Sequence, residues 1–397
     1  MSDIVERYNI PEQHFWLHGP RAGGPVEHNA AAGMWNVYGY PELQEILGDP
    51  ATFSSNVLRI TPEDQKPEGL SLEGFITQID PPEHGKLRKL VSSAFTRKVV
   101  ADLEPRIAAV THELLDEARE RGGFELVRDL AYPLPVIVIA ELLGVPSSDR
   151  GLFKQWADTL FRQDTKVSFD ELFERRPQDR ETTMKSWWEM SAYLAGHAAE
   201  RRRQPRADLL TKLVEAEVDG ERLPDEQVVN FAIVLLLAGH VTTTMLLGNT
   251  VLALDAFPEH QERARADRAA IPAIIEESLR FFTPFALLAR ATTREARLGG
   301  VTIPADQTVL VWLGAANRDP RQFTDPDVFD PDRDPNPHLA FGRGIHFCLG
   351  APLARLEGRV ALDILLDRFD HLRTDPDDPV VFMPMPTMTG VRRLPLV

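Results

Sequence analysis

Apolar and polar positions change period along the chain, and the changes mark out its elements. Residues 34–58 open with two-residue alternation (Met34-Trp35-Asn36-Val37-Tyr38) and pass into a helix-like run from Pro41 to Leu47. That is the pattern of a small sheet beside a helical body. Residues 59–79 are rich in Pro, Glu and Gly and read as a loop. Asp80-Pro81-Pro82 ends the loop, and the helix that follows carries His84 and Arg88, four apart, on one face. From 101 to 220 the pattern is of amphipathic helices separated by Gly122-Gly123, Pro146 and Pro205, with an irregular interval at 160–190 that contains Trp187-Trp188. Tryptophans of this kind serve more often as core than as ligand contacts.

Pro224-Asp225-Glu226 then places proline in a first helical turn and acids at the positive end of its dipole. No breaker follows until Pro258, so this helix is roughly 50 Å long at ~1.5 Å per residue and must cross the whole molecule. Its middle, Ala238-Gly239-His240-Val241-Thr242-Thr243-Thr244, is a poor helix former because of Gly and β-branched residues. The weak centre predicts a local opening where a ligand sits. Beyond it, Glu277-Ser278-Leu279-Arg280 puts an acid and a base on one helix face, and Phe285 to Arg290 reads as a strand.

Composition narrows the classes. The net charge of −16 argues against nucleic acid as a partner. The single cysteine excludes an intrachain disulfide and suits a reducing cytoplasm. Met1 to Arg7 lacks the apolar run of a signal peptide or anchor, and the longest apolar run, Phe231 to Gly239, stops at His240. That is short of the ~20 residues of a membrane span. There is no glycine-rich dinucleotide fingerprint.

That one cysteine stands in Phe341-Gly342-Arg343-Gly344-Ile345-His346-Phe347-Cys348-Leu349-Gly350, directly ahead of a helix opening at Ala351-Pro352. A lone cysteine is ordinarily a small buried hydrophobe. Here glycines let the backbone approach a bulky partner, and amides at a helix N-terminus favour a thiolate. The loop resembles the haem-binding signature of the cytochrome P-450 family, with Phe341, Gly344, His346, Cys348 and Gly350 at its fixed positions.

The resemblance implies a mainly α fold with small β-sheets, in which haem b lies between the long central helix and the cysteine loop. It implies one domain over residues 1–397 and Cys348 as the iron ligand. His84, Arg88, Arg290 and His346 would hold the haem propionates. Glu277, Arg280 and Arg333 would form a structural ion network. Thr242, with Gly239 and His240 beside it, matches the oxygen-binding motif.

The family usually has Asp or Glu before that threonine; here Val241 stands instead. Ordered water entering at Gly239, assisted by His240, Thr243 or a substrate hydroxyl, is one expected proton source. The other reading has Val241 packed in the core, with protons entering elsewhere. An acid at 241 is expected to be tolerated if it stays hydrated.

The implied activity is monooxygenation of a small molecule with O₂ and electrons from NAD(P)H, through a ferredoxin reductase and a ferredoxin. The implied protein is a cytoplasmic monomer of the soluble bacterial kind. Lys86, Lys89, Arg97 and Lys98, with Arg343, Arg355 and Arg359, read either as a docking face for that ferredoxin or as a solvated surface. Ala238 to Asn249, Ile271 to Glu277, Asp102 to Ile107 and Ala216 to Gly220 look most like macrolide hydroxylases of the erythromycin type. A macrolide, polyketide or other secondary metabolite is therefore the expected substrate. A peroxide-driven oxygenase and a non-catalytic recruitment module remain alternatives.

Overall fold

A computed structural model describes residues 3–21, 23–62, 66, 73–92, 95–161, 177–218 and 220–397. Helices make the body, and a five-stranded sheet stands to one side, in the order Val26–Asn29, Met34–Val37, Thr308–Trp312, Leu287–Thr292, Phe53–Ser54. Sequence alternation at 34–38 and the apolar run into Arg290 both become strands of this one sheet. Its register sets Arg290 opposite Val309, and Val309 opposite Trp35.

The long helix, Asp225–Ala256, is the axis of the body. It packs against the helices Pro133–Leu142, Pro177–Arg203, Ile271–Phe281 and Ala351–Arg368. By length and composition it is apolar enough to cross a membrane, which the run counted to His240 did not suggest, yet 72% of its most apolar window is buried inside the protein. An all-round apolar helix of this kind is a core helix here.

Contrary to the expected opening, the helix continues unbroken through Gly239. Two hydroxyls in this stretch bond back to carbonyls four residues earlier, Thr242 donating to Ala238 at 2.6 Å and Thr244 to His240 at 3.1 Å, which satisfies them without strengthening the helix. Packing of its buried faces supplies what intrinsic propensity lacks.

The irregular reading of 160–190 is also corrected in part. Trp187 and Trp188 lie within the continuous helix Pro177–Arg203, and residues 162–176 fall outside the described set. Trp187 stacks on Phe75 with ring centroids 5.3 Å apart, whereas Trp188 is 49% exposed. Residues 63–65 and 67–72 of the 59–79 loop likewise fall outside the described residues, but its end is docked. Glu73 accepts from Asn230 at 2.8 Å, and Gly74 adopts φ +86° where a Cβ would meet the Gln227 carbonyl at 2.5 Å.

Two successive acids on the helix Ile271–Phe281 hold the segment that leads to the cysteine loop. Glu277 and Arg280 are fully buried and paired through two contacts of 2.6 and 2.9 Å. Arg280 also donates to the carbonyls of Asn317, Pro326 and Val328. Glu277 accepts from the Asp330 amide and the Asn336 side chain, and Arg333 lies 3.7 Å away.

The neighbouring Glu276 has other partners, Arg355 at 2.6 and 2.7 Å and His338 at 3.1 Å. Partial burial opposes its ionisation, but Arg355 and His338 hold its carboxyl at about 2. Glu277→Ala should therefore cost about 3–5 kcal/mol, because it strands a buried cation. Glu276→Ala, at a partly solvated pair, should cost about 1 kcal/mol. Denaturant midpoints of the two variants check the contrast; equal losses would contradict it.

Candidate functional site

The cysteine loop is shaped by its glycines. Gly344 sits at φ +71°, where a Cβ would lie 2.4 Å from the Leu47 carbonyl oxygen, so no other residue fits. The Cys348 amide donates to the Phe341 carbonyl at 2.9 Å and closes the loop. The Arg355 guanidinium lies over the Phe341 ring at 4.6 Å, which ties the loop to the helix Ala351–Arg368 and, through Glu276, to the core. Gly350, where a Cβ would stand 3.9 Å from the sulfur, caps that helix.

The electrostatics of the sulfur differ from the expectation. Burial pushes the Cys348 thiol up, and the amides of Gly350 and Ala351 and the cations Arg88 and Arg355 only partly oppose it. The loop alone thus leaves a thiol. A metal ion is what deprotonates a sulfur in such a place.

Arg88, which acts on the sulfur, belongs to a cluster of four basic side chains with His84, His346 and Arg290. His84 and His346 meet edge to face with centroids 4.3 Å apart. His84 is buried, and its Nε2 has no hydrogen-bond partner among the described residues. His346 Nε2 lies 2.9 Å from Ser55 Oγ. Arg290, 6% exposed, donates to the Ala289 carbonyl at 2.8 Å.

Burial lowers all four. Arg290 falls to about 10, and His346 to about 3 with Arg290, His84 and Arg88 adding to the effect. His84 is lowered by burial and then by Arg88. Arg88 is lowered by burial, against which only the Cys348 sulfur pulls. The acid acting on His84 and Arg290 is Asp80, already engaged by the Ser54 hydroxyl and, at 2.9 Å, by the Ser55 amide. This is a site built for added negative charge.

Haem b meets that description. It brings two carboxylates to the cations, a metal ion to the sulfur, and its own ring nitrogens as the remaining ligands. The donor orphaned at His84 and the weakly satisfied Arg290 are the observations that the residues present fit the group.

On the long helix, Leu235, Ala238, Gly239 and Thr242 form an accessible stripe at i, i+3, i+4 and i+7 within a largely buried stretch. Thr242 and Gly239 are thus brought together. His240 is not. Two positions from Thr242, it points to the far side of the helix, is 1% exposed, and lies edge-on to Tyr132 at 4.2 Å. Burial lowers it to about 3, so it stays neutral. The expectation that His240 assists Thr242 is corrected by helical geometry.

Val241 is buried in a cluster with Met245 and Met388, with Phe285, Met383 and Met385 packed against it. The core reading of this residue is the one the structure supports. An acid there would enter an apolar cluster, which works against the hydration on which its tolerance depends.

The basic surface is smaller than its sequence suggests. Arg355 is paired with Glu276, and Arg359 with Glu104 at 2.6 Å. Lys86, Lys89, Lys98 and Arg343 are exposed, while the Arg97 side chain falls outside the described set.

Sequence reasoning missed three features. Ser55, the partner of His346, carries no motif. Glu357, buried and pushed up to about 8 by that burial, sits in an unremarkable helical run. The methionine cluster did have a signal, the run Met383-Pro384-Met385-Pro386-Thr387-Met388.

His14 and His240 generate a prediction about acid stability. Burial lowers them to about 4 and about 3, so both are neutral when folded and protonate on unfolding. Their contribution is present above ~6.5 and is lost as pH falls towards the folded values, by about 1.4 kcal/mol per pH unit for each. His14→Phe and His240→Phe should each flatten the fall in denaturant midpoint between pH 6.5 and 4. Unchanged slopes would contradict the assignment.

Comparison with known proteins places this geometry. A family model described as Cytochrome P450 matches residues 31–395. The erythromycin C-12 hydroxylase of Saccharopolyspora erythraea is 45% identical over 385 residues, covering 96% of this chain and 93% of that protein. The cyclomarin C epoxidase CymV of Salinispora arenicola is 44% identical over 381 residues, covering 96% and 94%. Among solved structures, HmtT, involved in himastatin biosynthesis, is 54% identical with a TM-score of 0.90, covering 100% of this chain and 99% of that one.

Proposed function

The chain belongs to the cytochrome P450 family, whose members are haem b monooxygenases, and we propose that it oxidises a secondary metabolite with Cys348 as its iron ligand. The observation that carries the residue assignment is one cluster of two arginines, Arg88 and Arg290, and two histidines, His84 and His346, that reaches the Cys348 sulfur through Arg88 and has Asp80 as the acid acting on it among the described residues. When bound, the haem supplies activation of O₂ and transfer of one oxygen atom to substrate.

His84, Arg88, Arg290 and His346 hold the propionates, each gaining an anionic partner. Phe341 and Gly350 shape the loop around the sulfur. Glu277, Arg280 and Arg333 keep the preceding segment in place.

Thr242 positions protons. Its hydroxyl donates to the Ala238 carbonyl, which leaves its oxygen lone pairs as acceptors. A donor must therefore approach from the accessible side, and once it does, the hydroxyl can turn and donate onward. Val241 cannot act, and His240 faces away. Water or a substrate hydroxyl fills that role.

The substrate class follows the relatives, which are named for erythromycin, cyclomarin and himastatin biosynthesis. Resemblance of comparable strength to three such names favours a secondary metabolite in general over a macrolide in particular. Electrons arrive from a ferredoxin and its NAD(P)H-dependent reductase, docking over Lys86, Lys89, Lys98 and Arg343. The protein acts as a cytoplasmic monomer. Val241 favours one second reading, a peroxide-driven oxygenase, which activity with H₂O₂ alone would establish.

Three variants test the proposal. Thr242→Ala should lower product per NADPH roughly tenfold and raise peroxide release; full coupling would remove Thr242 from the proton route. Val241→Glu should lose about 3 kcal/mol of stability without a gain in coupling. A Lys86/Lys89/Lys98 charge reversal should slow ferredoxin-driven reduction roughly tenfold at low salt and much less at high salt, with peroxide-supported activity intact. Equal loss in both assays would place the damage at the haem.

A further inference from the structure

Four of the eight methionines of this chain, Met245, Met383, Met385 and Met388, meet in the cluster around Val241. Met245 and Met388 are buried; Met383 and Met385 are half-buried. The segment that carries the last three is held in place. The Met383 amide donates to the Gly390 carbonyl at 2.8 Å, Ala286 to Thr387 and Thr389 to Pro284 at 2.9 Å, and the Gln13 side chain to the Met383 carbonyl at 3.3 Å. A Cβ on Gly390 would lie 2.5 Å from Met245 Cγ, so the segment presses on the long helix one turn beyond Thr242. The thioethers are fixed beside the residue that adjoins the proton-handling threonine. They are also the readily oxidised groups of that wall.

We propose that Met383 and Met385 are a self-oxidation site, modified by hydrogen peroxide that the enzyme's own uncoupled turnover releases. The inference rests on the monooxygenase reading above. Uncoupled turnover reduces O₂ with two electrons and two protons to H₂O₂. A methionine sulfur lone pair then attacks one peroxide oxygen. The S–O bond forms as the O–O bond breaks, the sulfur is oxidised by two electrons, the peroxide is reduced by two, and water leaves.

Val241 favours this chemistry, because the residue before Thr242 offers no proton of its own. The product is a polar sulfoxide in an apolar cluster, where its oxygen has no donor waiting. The wall loosens, and an enzyme running without a well-fitted substrate weakens its own binding site.

Met34 is the internal control, since it is also half-buried but stands in the sheet strand Met34–Val37, away from the cluster. The haem-loaded protein is run on NADPH with a ferredoxin and reductase, without substrate and with catalase in the bulk, while oxygen consumption is followed. Peptide mapping should find a one-oxygen gain at Met383 and Met385 several-fold above that at Met34. A tightly coupled substrate should suppress it. The Met383→Leu/Met385→Leu variant should then retain its substrate-induced Soret shift several-fold longer than the parent during uncoupled turnover.

Oxygen consumption with an unmodified cluster, or with Met34 modified equally, overturns the inference. So does complete protection by catalase, which would make the oxidation an ordinary bulk reaction. If the leucine variant decays as fast as the parent, the modification has no consequence for binding and that half of the proposal falls. No oxygen consumption at all would sink the monooxygenase reading itself, and this inference with it.

Discussion

A cluster of desolvated arginines and histidines, with Asp80 as the acid acting on it among the described residues, is the constraint on which this structure turns. Arg290, with 6% of its surface exposed, stands on the strand Leu287–Thr292, paired with Val309 of the neighbouring strand. His84 and His346 are pressed together close by, and Arg88 has only the Cys348 sulfur, neutral while it stays a thiol, to offset its desolvation. Each group is lowered by the desolvation it suffers. A fold that concentrates such groups is electrostatically incomplete alone, and an anionic, metal-bearing ligand completes it. The sulfur tells the same story from the other side. Its burial holds it as a thiol until a metal takes the proton's place.

The rest of the chain is arranged to keep these groups where they are. Glu276 and Glu277, adjacent on one helix, divide the work by taking different partners. One secures the helix that follows the cysteine, and the other the segment that precedes its loop. The long helix closes the opposite side with an accessible stripe through Ala238 and Thr242 and an apolar flank through Val241. In the proposed mechanism the two sides have separate duties. The cysteine side holds charge, whereas the helix side controls where protons can come from.

Most of this was legible in the sequence where a residue type leaves a local signature. The cysteine loop, the helix with His84 and Arg88, and the strand into Arg290 each leave a local pattern, and it was the family resemblance that implied they meet at one site. The failures were tertiary. The stretch around Gly239 is a weak helix former by propensity, but the packing of its buried neighbours His240, Val241, Thr243 and Thr244 holds it helical. His240 is near Thr242 in sequence and opposite to it in space, which a count of 100° per residue reveals only once the helix is known to be unbroken. The basic surface shrank because Arg355 and Arg359 are claimed by acids distant in the chain. The partnership of Ser55 with His346 spans 291 residues and has no local trace.

The central claim, that the buried cations are unsatisfied until they meet carboxylates, is tested most directly by loading the protein with haem and with haem dimethyl ester. Affinity is read by titration, and ligation by the ferrous carbon monoxide spectrum. The account predicts that both give the spectrum of thiolate ligation, that the ester binds at least tenfold more weakly (about 1.4 kcal/mol or more), and that Arg290→Met narrows the gap. Equal affinity for the two would mean that the cations do not read the carboxylates, and would contradict the account.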